Sequence, residues 1–127
     1  MRLLLDTQIF LWFLADERRI PARARQAIHA ADNVVLVSAA AVWEISIKAS
    51  LGRLTIAAAD LRRLPRLIEE AGFDELPVRA THAVGVHALP WHHRDPFDRL
   101  MLAQARAETL TLVSVDPVMR AYGVPLL

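Results

Sequence analysis

The chain begins with an apolar run, Leu3-Leu4-Leu5, that is cut at Asp6 and resumes as a stretch carrying Ile9, Phe10, Trp12, Phe13 and Leu14. That pattern predicts a short buried strand over 2–5 and an apolar helix over 7–15. After the polar break Asp16-Glu17-Arg18-Arg19, Pro21 opens a second helix over 22–31, since Pro suits a first helical turn. Asp32-Asn33 reads as a turn, and the β-branched run over 34–37 as a second buried strand. Ser38 is placed to cap a third helix reaching about Ser50, with Gly52 ending it. A fourth helix is expected over 58–70, stressed by Pro65. Residues 73–78 read as an edge strand because of Pro77, 80–88 as a short helix and 90–94 as a loop. Residues 96–108 form a strongly patterned helix capped by Asp95, followed by a strand over 109–114, a last short helix over 117–122 and a final strand over 124–126.

Strands alternating with helices predict parallel strands joined by right-handed crossovers. The expected architecture is α/β, a three-layer α/β/α domain with a central, mainly parallel sheet. At 127 residues the chain is expected to form a single domain over 1–127. In such sheets ligands bind beyond the carboxyl ends of the strands. Asp6 and Asp116 fall at or just past strand ends, and Ser38 opens, after a strand, the helix that carries Glu44.

Composition narrows the function classes. Hydrophobic residues make up 54% and the mean hydropathy is +0.28, more than one small core conceals, so an exposed patch for self-association or a partner is expected. No run approaches the ~20 apolar residues that span a bilayer. The segment Met1–Thr7 lacks the pattern of a signal peptide, and a cytoplasmic location is the expectation. Cysteine is absent, which excludes disulfides and thiolate metal sites. A net charge of +1 excludes a strongly basic footprint but not a nucleic acid as substrate. Fourteen of the fifteen cationic residues are Arg, which suits bidentate phosphate contacts, although a GC-rich genome is the plainer explanation.

Four acids interrupt apolar settings: Asp6, Glu44, Asp98 and Asp116. A buried carboxylate is costly unless it is paired or bound to a metal, so acids from four distant segments suggest one shared cation site. Each also has an ordinary reading. Asp6 and Asp116 suit helix N-caps, and Glu44 stands four residues before Lys48, the spacing of a helical ion pair. In Asp95-Pro96-Phe97-Asp98, Asp95 is the natural cap and Asp98 the better ligand, next to Met101 and Leu102 on the apolar face. Hard oxygen donors favour Mg²⁺ or Mn²⁺ over zinc. The histidines do not have zinc spacing; His93, beside His92, reads as a loop residue or a contact to substrate phosphate. No phosphate-cradling glycine loop and no nucleophile elbow occur.

The segments LLLDTQIFLWFLAD, SAAAVWEISIKASLGRL, HHRDPFDRLMLAQA and LTLVSVD, in that order, resemble the PIN-domain ribonucleases, and among them the VapC toxins of type II toxin–antitoxin pairs. The likeness covers nearly the whole chain. It carries the family's four acids onto Asp6, Glu44, Asp98 and Asp116. It implies a Mg²⁺-dependent endoribonuclease, with Mn²⁺ as substitute, acting on RNA. It also implies a homodimer and a heteromeric complex with a VapB-like antitoxin. Within that reading Thr7 and Ser114 support the ligands, Arg94 and Arg99 are candidates for RNA phosphate (an ion pair being the other reading of Arg99), and the antitoxin groove is expected at Phe10-Trp12-Phe13 and Trp43-Ile47. Two rivals are a PIN-fold RNA-binding module without turnover and a signalling receiver domain. The receiver needs paired acids after its first strand and a Lys after a late one; here Asp6 stands alone and the single Lys is Lys48.

Overall fold

Burial drives the central sheet: Leu3, Leu4 and Leu5 of β1 (Arg2–Leu5) are fully enclosed, and Val35 to Ser38 of β2 (Val34–Ser38) nearly so. Strands buried on both faces read as continuous apolar runs, the mark of a parallel sheet covered by helices. The computed structural model describes residues 1–127, and all four strands are parallel, in the order β3-β2-β1-β4. β3 (Asp74–Leu76) is the edge strand anticipated from Pro77, shortened to three residues. β4 (Thr111–Val113) lies on the other side of β1. The final strand contracts to one bridge, Leu126 beside Leu112, anchored by the Leu112 N–H donating to the Pro125 carbonyl at 2.8 Å.

The helices follow the predicted order with local differences. They are α1 (Thr7–Ala15), α2 (Ala22–His29), α3 (Ala39–Ser50), α4 (Ala58–Arg62), α5 (Leu64–Glu70), α6 (Ala80–Gly85) and α7 (Pro96–Ala107). The single helix expected over 58–70 is broken at Arg63, because Pro65 has no N–H to donate and is accepted only in a first turn, here that of α5. Gly52 follows α3 with φ of 71°, a left-handed conformation that favours glycine at a helix end. Short 3₁₀ turns occupy 17–19, 86–88 and 117–122. No helix is long and apolar enough to cross a membrane.

Register sets the level of the site. Leu5 pairs with Val37 on one side and with Val113 on the other. The chain therefore leaves all three strands at the same rim, at Asp6, Ser38 and Ser114. The Asp6 N–H extends the β1–β4 ladder by donating to the Val113 carbonyl at 3.0 Å. Beneath this rim the core is contiguous, from Phe10 and Ile45 through Leu102 and Met101 to Leu112.

Candidate active site

Asp6 ends β1 and begins α1. Its Oδ1 accepts the Ile9 N–H at 2.8 Å, so it is a helix cap, and the residue is buried. Burial pushes its carboxyl pKa up; the Ser114 hydroxyl and the Ile9 N–H offset part of this, while Asp116 and Glu44 add to it.

Glu44 lies on α3, which the Ser38 hydroxyl caps by accepting the Ala40 N–H at 3.0 Å. The same hydroxyl donates to Gln104 Oε1 on α7 at 2.6 Å, which pins the start of α3 to α7. Glu44 is only 3% exposed. Its Oε1 accepts the Thr7 hydroxyl at 2.6 Å and its Oε2 the Lys48 ammonium at 2.5 Å. The ordinary helical ion pair is thus present, between a buried Glu44 and a half-exposed Lys48, and it raises the Lys48 pKa.

Asp95 caps α7, its Oδ1 accepting the N–H groups of Phe97 at 2.8 Å and Asp98 at 3.2 Å. Asp98, one turn in, carries the largest electrostatic load. Burial and then the neighbouring Asp95 and Glu44 push its pKa from 3.8 up to about 7, against the opposing pull of His93. Asp116, after β4, caps the 117–122 turn with Oδ1 on the Val118 N–H at 3.0 Å. Its own N–H donates to Ser114 Oγ at 3.1 Å.

Asp6, Glu44, Asp98 and Asp116, together with Thr7, Gln8, Lys48 and Asp95, line one cleft of about 290 Å³ at the strand-end rim. The four acids singled out from sequence are therefore brought together, and Asp95 joins them. His93 lies closer to them than its loop position suggests. Its Nε2 is 2.9 Å from Asp98 Oδ2 and 3.1 Å from Asp116 Oδ2, and donor atoms of the three residues all lie within 4.8 Å of one another. No local pattern signals this, because the approach depends on the 90–94 loop folding over α7. Lys48 and Gln8 also line the cleft without having been singled out for it.

Arg99 departs from expectation. Neither a phosphate contact nor an ion pair fits it, because the residue is 3% exposed and its guanidinium is enclosed by carbonyls. It donates to Pro90 at 2.8 Å, Leu89 at 3.2 Å and Val86 at 3.3 Å, and stacks on Trp91 with its Cζ 3.8 Å from the ring centroid. It shapes the loop that delivers His93, whose N–H donates to the Tyr122 hydroxyl at 2.6 Å. Arg94, by contrast, is exposed and is the chain neighbour of Asp95, which lines the cleft.

Comparison with known proteins shows the family. The model of the PIN domain family matches residues 3–125. The chain belongs to the PIN domain family. Ribonuclease VapC22 of Mycobacterium tuberculosis (strain ATCC 25618 / H37Rv) is 31% identical to this PIN domain over 123 residues, covering 96% of this chain and 92% of that protein. Among solved structures, VapBC2 from Rickettsia felis bound to a DNA fragment from its promoter superposes with a TM-score of 0.75 at 15% identity, over all of this chain and 98% of that one. VapBC-1 from nontypeable Haemophilus influenzae gives 0.70 at 16% identity, over 100% and 97%. At such identities the two structures speak for the fold.

A second cleft, of about 520 Å³ and mainly apolar, runs between α1 and the segment 54–67, lined by Leu11, Trp12, Leu14, Leu54, Ile56 and Leu64 among others. It meets the expected apolar patch, but only part of its expected wall. Phe10 is fully buried in the core, Phe13 stacks on Phe73 at 4.7 Å, and Trp43, edge-on to Phe97 at 5.0 Å, is 58% exposed but lies outside this groove's lining. Gln8 and Leu11 line both this groove and the acidic cleft.

Proposed function

We propose that this PIN domain is a Mg²⁺-dependent endoribonuclease and the toxin of a type II toxin–antitoxin pair. The observation that carries the reading is the convergence of Asp6, Glu44, Asp98 and Asp116 on one cleft at the strand-end rim. The donor set fits a divalent cation: clustered hard carboxylate oxygens, with only Lys48 and His93 to oppose their charge and with two acids pushed toward protonation. Similarity to a named ribonuclease over almost the whole chain supports the same assignment.

Asp6 and Asp98 would be the principal ligands, with Glu44 and Asp116 completing the set and Mn²⁺ able to replace Mg²⁺. When bound, the cation supplies an activated water and neutralises charge at the scissile phosphodiester. The chain's own groups hold the carboxylates in place. The Thr7 hydroxyl and Lys48 fix the two oxygens of Glu44, Ser114 steadies Asp6 and Asp116, and His93 spans Asp98 and Asp116. Arg94, exposed and next in the chain to Asp95, is suited to meet RNA phosphate. The apolar groove suits an amphipathic helix of a VapB-like antitoxin. Because the groove shares Gln8 and Leu11 with the acidic cleft, such an occupant would lie against the site it inhibits. A homodimer, and a larger complex with the antitoxin, complete the reading.

The test is cleavage of end-labelled RNA by purified protein in Mg²⁺ and in EDTA. Cleavage should leave 5′-phosphate and 3′-hydroxyl ends and stop in EDTA. Asp6→Asn should lower it at least about 100-fold, since a lost ligand disturbs both the cation and its water. Full cleavage by folded Asp6→Asn, or by wild type in EDTA, would overturn the proposal. Expression of the wild-type chain in a bacterial host should arrest growth and Asp6→Asn should not; equal arrest by both would detach toxicity from the cleft.

A further inference from the structure

The acidic cleft does not end at Asp116. Val115 and Asp116 form a wall between it and a third cleft of about 560 Å³, which lies between the start of α2 and the 117–122 turn. The character of the lining changes across that wall. On the far side stand Arg23 and Arg120, set among apolar residues that include Ile9, Pro21, Pro117 and Leu126.

Six of the fourteen arginines make side-chain hydrogen bonds or ion pairs. Arg2, Arg99 and Arg106 donate to backbone carbonyls. Arg18, Arg63 and Arg66 face acids. Arg23 and Arg120 are exposed and belong to none of the ion pairs. Two free guanidinium groups from separate elements border one cleft that adjoins the acids. The first turn of α2 opens beside the same cleft and no side chain caps it, so its positive end adds to the field.

A phosphodiester held at the acids needs more than the acids to bring it there, because four carboxylates repel a polyanion wherever no cation screens them. Cationic side chains next door offset that repulsion and hold the neighbouring phosphates. The volume lies within the about 300–1,000 Å³ of sites that enclose small ligands, and its two arginines suit the phosphates of a strand whose bases meet aliphatic rather than aromatic side chains. A duplex would keep its bases stacked and out of such a cleft. We infer that this cleft is a subsite for the single-stranded RNA flanking the scissile bond, with Arg23 and Arg120 contacting its phosphates. The inference rests on the nuclease reading of the acidic cleft.

The experiment compares the full chain with Arg23→Gln/Arg120→Gln, with Arg23→Lys/Arg120→Lys, and with a control of equal charge, Arg62→Gln/Arg66→Gln, whose residues line neither cleft. Anisotropy of a fluorescent, ~20-nucleotide mixed-sequence single-stranded RNA is followed in EDTA across a KCl series. The Gln pair should weaken binding about tenfold and flatten the slope of log Kd against log salt by about 1.4, that is about 0.7 for each of two phosphates. The Lys pair should keep the slope, and the control should change neither. In Mg²⁺ the Gln pair should raise KM for RNA cleavage about tenfold with kcat within about threefold of wild type. Unchanged binding by a folded Gln pair, or a loss matched by the control, overturns the subsite even where cleavage is normal. A fall in kcat with KM and binding intact overturns it as well. If wild type binds the probe, loses it in the Gln pair and never cleaves, the nuclease reading fails while the strand-binding assignment stands.

Discussion

Asp98→Asn should stabilise the metal-free protein while disabling it. In the cation-free fold the Asp98 carboxyl is pushed from 3.8 up to about 7 by burial and by Asp95 and Glu44. A raised folded-state pKa on an acid means that the folded chain holds the proton more tightly than the unfolded chain does. Stability is therefore greatest below 3.8 and falls as pH rises through the window from 3.8 to about 7. At 1.36 kcal/mol per pH unit across that window, the ionised carboxylate costs the fold about 4 kcal/mol at pH 8. Asparagine removes the charge and keeps an oxygen for His93. It also forfeits an acid in the first turn of α7, which favours the helix by about 0.3–1 kcal/mol. The net gain is about 3 kcal/mol at pH 8. For a chain of this length that corresponds to a rise in melting temperature of about 10 °C. At pH 5 wild-type Asp98 is largely protonated, and the difference should shrink to about 2–3 °C. The assay is thermal unfolding followed by circular dichroism in EDTA at both pH values, repeated with Mg²⁺. Millimolar Mg²⁺ should raise the wild-type midpoint at pH 8 and leave Asp98→Asn unmoved. A lower midpoint for Asp98→Asn in EDTA at pH 8, or a gain that is equal at pH 5, would refute the argument that repulsion and burial load this carboxylate.

Asp95→Asn should keep most Mn²⁺ affinity and RNA cleavage, because asparagine still accepts the Phe97 and Asp98 N–H groups, whereas Asp98→Asn should lose both; titration calorimetry and cleavage assays on the two variants decide it, and a more damaging Asp95→Asn would reverse the assignment. Arg99→Met should cost about 2–4 kcal/mol in urea unfolding, since carbonyls of the 86–93 loop lose a charged donor, and it should weaken Mn²⁺ binding by unseating His93; an unchanged urea midpoint would show that the carbonyl cage is not stabilising. Thr7→Val should lower cleavage about 10–100-fold and cost about 1–3 kcal/mol in urea unfolding, because it leaves one oxygen of buried Glu44 without its donor while Lys48 retains the other; cleavage equal to wild type would remove Thr7 from the supporting set.

The sheet and the acids were legible because local pattern records them. Leu3 to Leu5 and Val35 to Val37 are buried on both faces, so their runs carry the parallel sheet in plain sight, and an acid placed directly after such a run lands on the rim. Glu44 was legible for a related reason, as a charge on a helix with almost no other charge. What stayed hidden depends on contacts between distant segments. Arg99 looks like a surface cation beside an acid until the 86–93 loop wraps it in carbonyls. His93 reaches Asp98 and Asp116 only because that loop is held by Arg99 and by Tyr122, more than twenty residues away. The break at Arg63 was visible as stress at Pro65, but its position follows from where Leu64 and Ile68 bury themselves.

For Asp6 and Asp116 the sequence posed a choice between helix cap and cleft acid, and the structure dissolves it. Each carboxylate has two oxygens. Asp6 gives Oδ1 to the Ile9 N–H, and Asp116 gives Oδ1 to Val118 while its Oδ2 faces His93. A cap bond fixes the side-chain rotamer, so the remaining oxygen is held toward the cleft without further ordering cost. At Asp6 the same bond favours the charged form, because a backbone N–H stabilises a carboxylate. Burial nevertheless raises Asp6, and the N–H and the Ser114 hydroxyl soften that rise. Asp98 has no such bond from the backbone; its close partner is His93, and Asp95 beside it repels. It follows that the acids at the strand ends are held by the fold itself, whereas on the proposed metal-dependent reading Asp98 is the one whose charge would depend most on a bound cation.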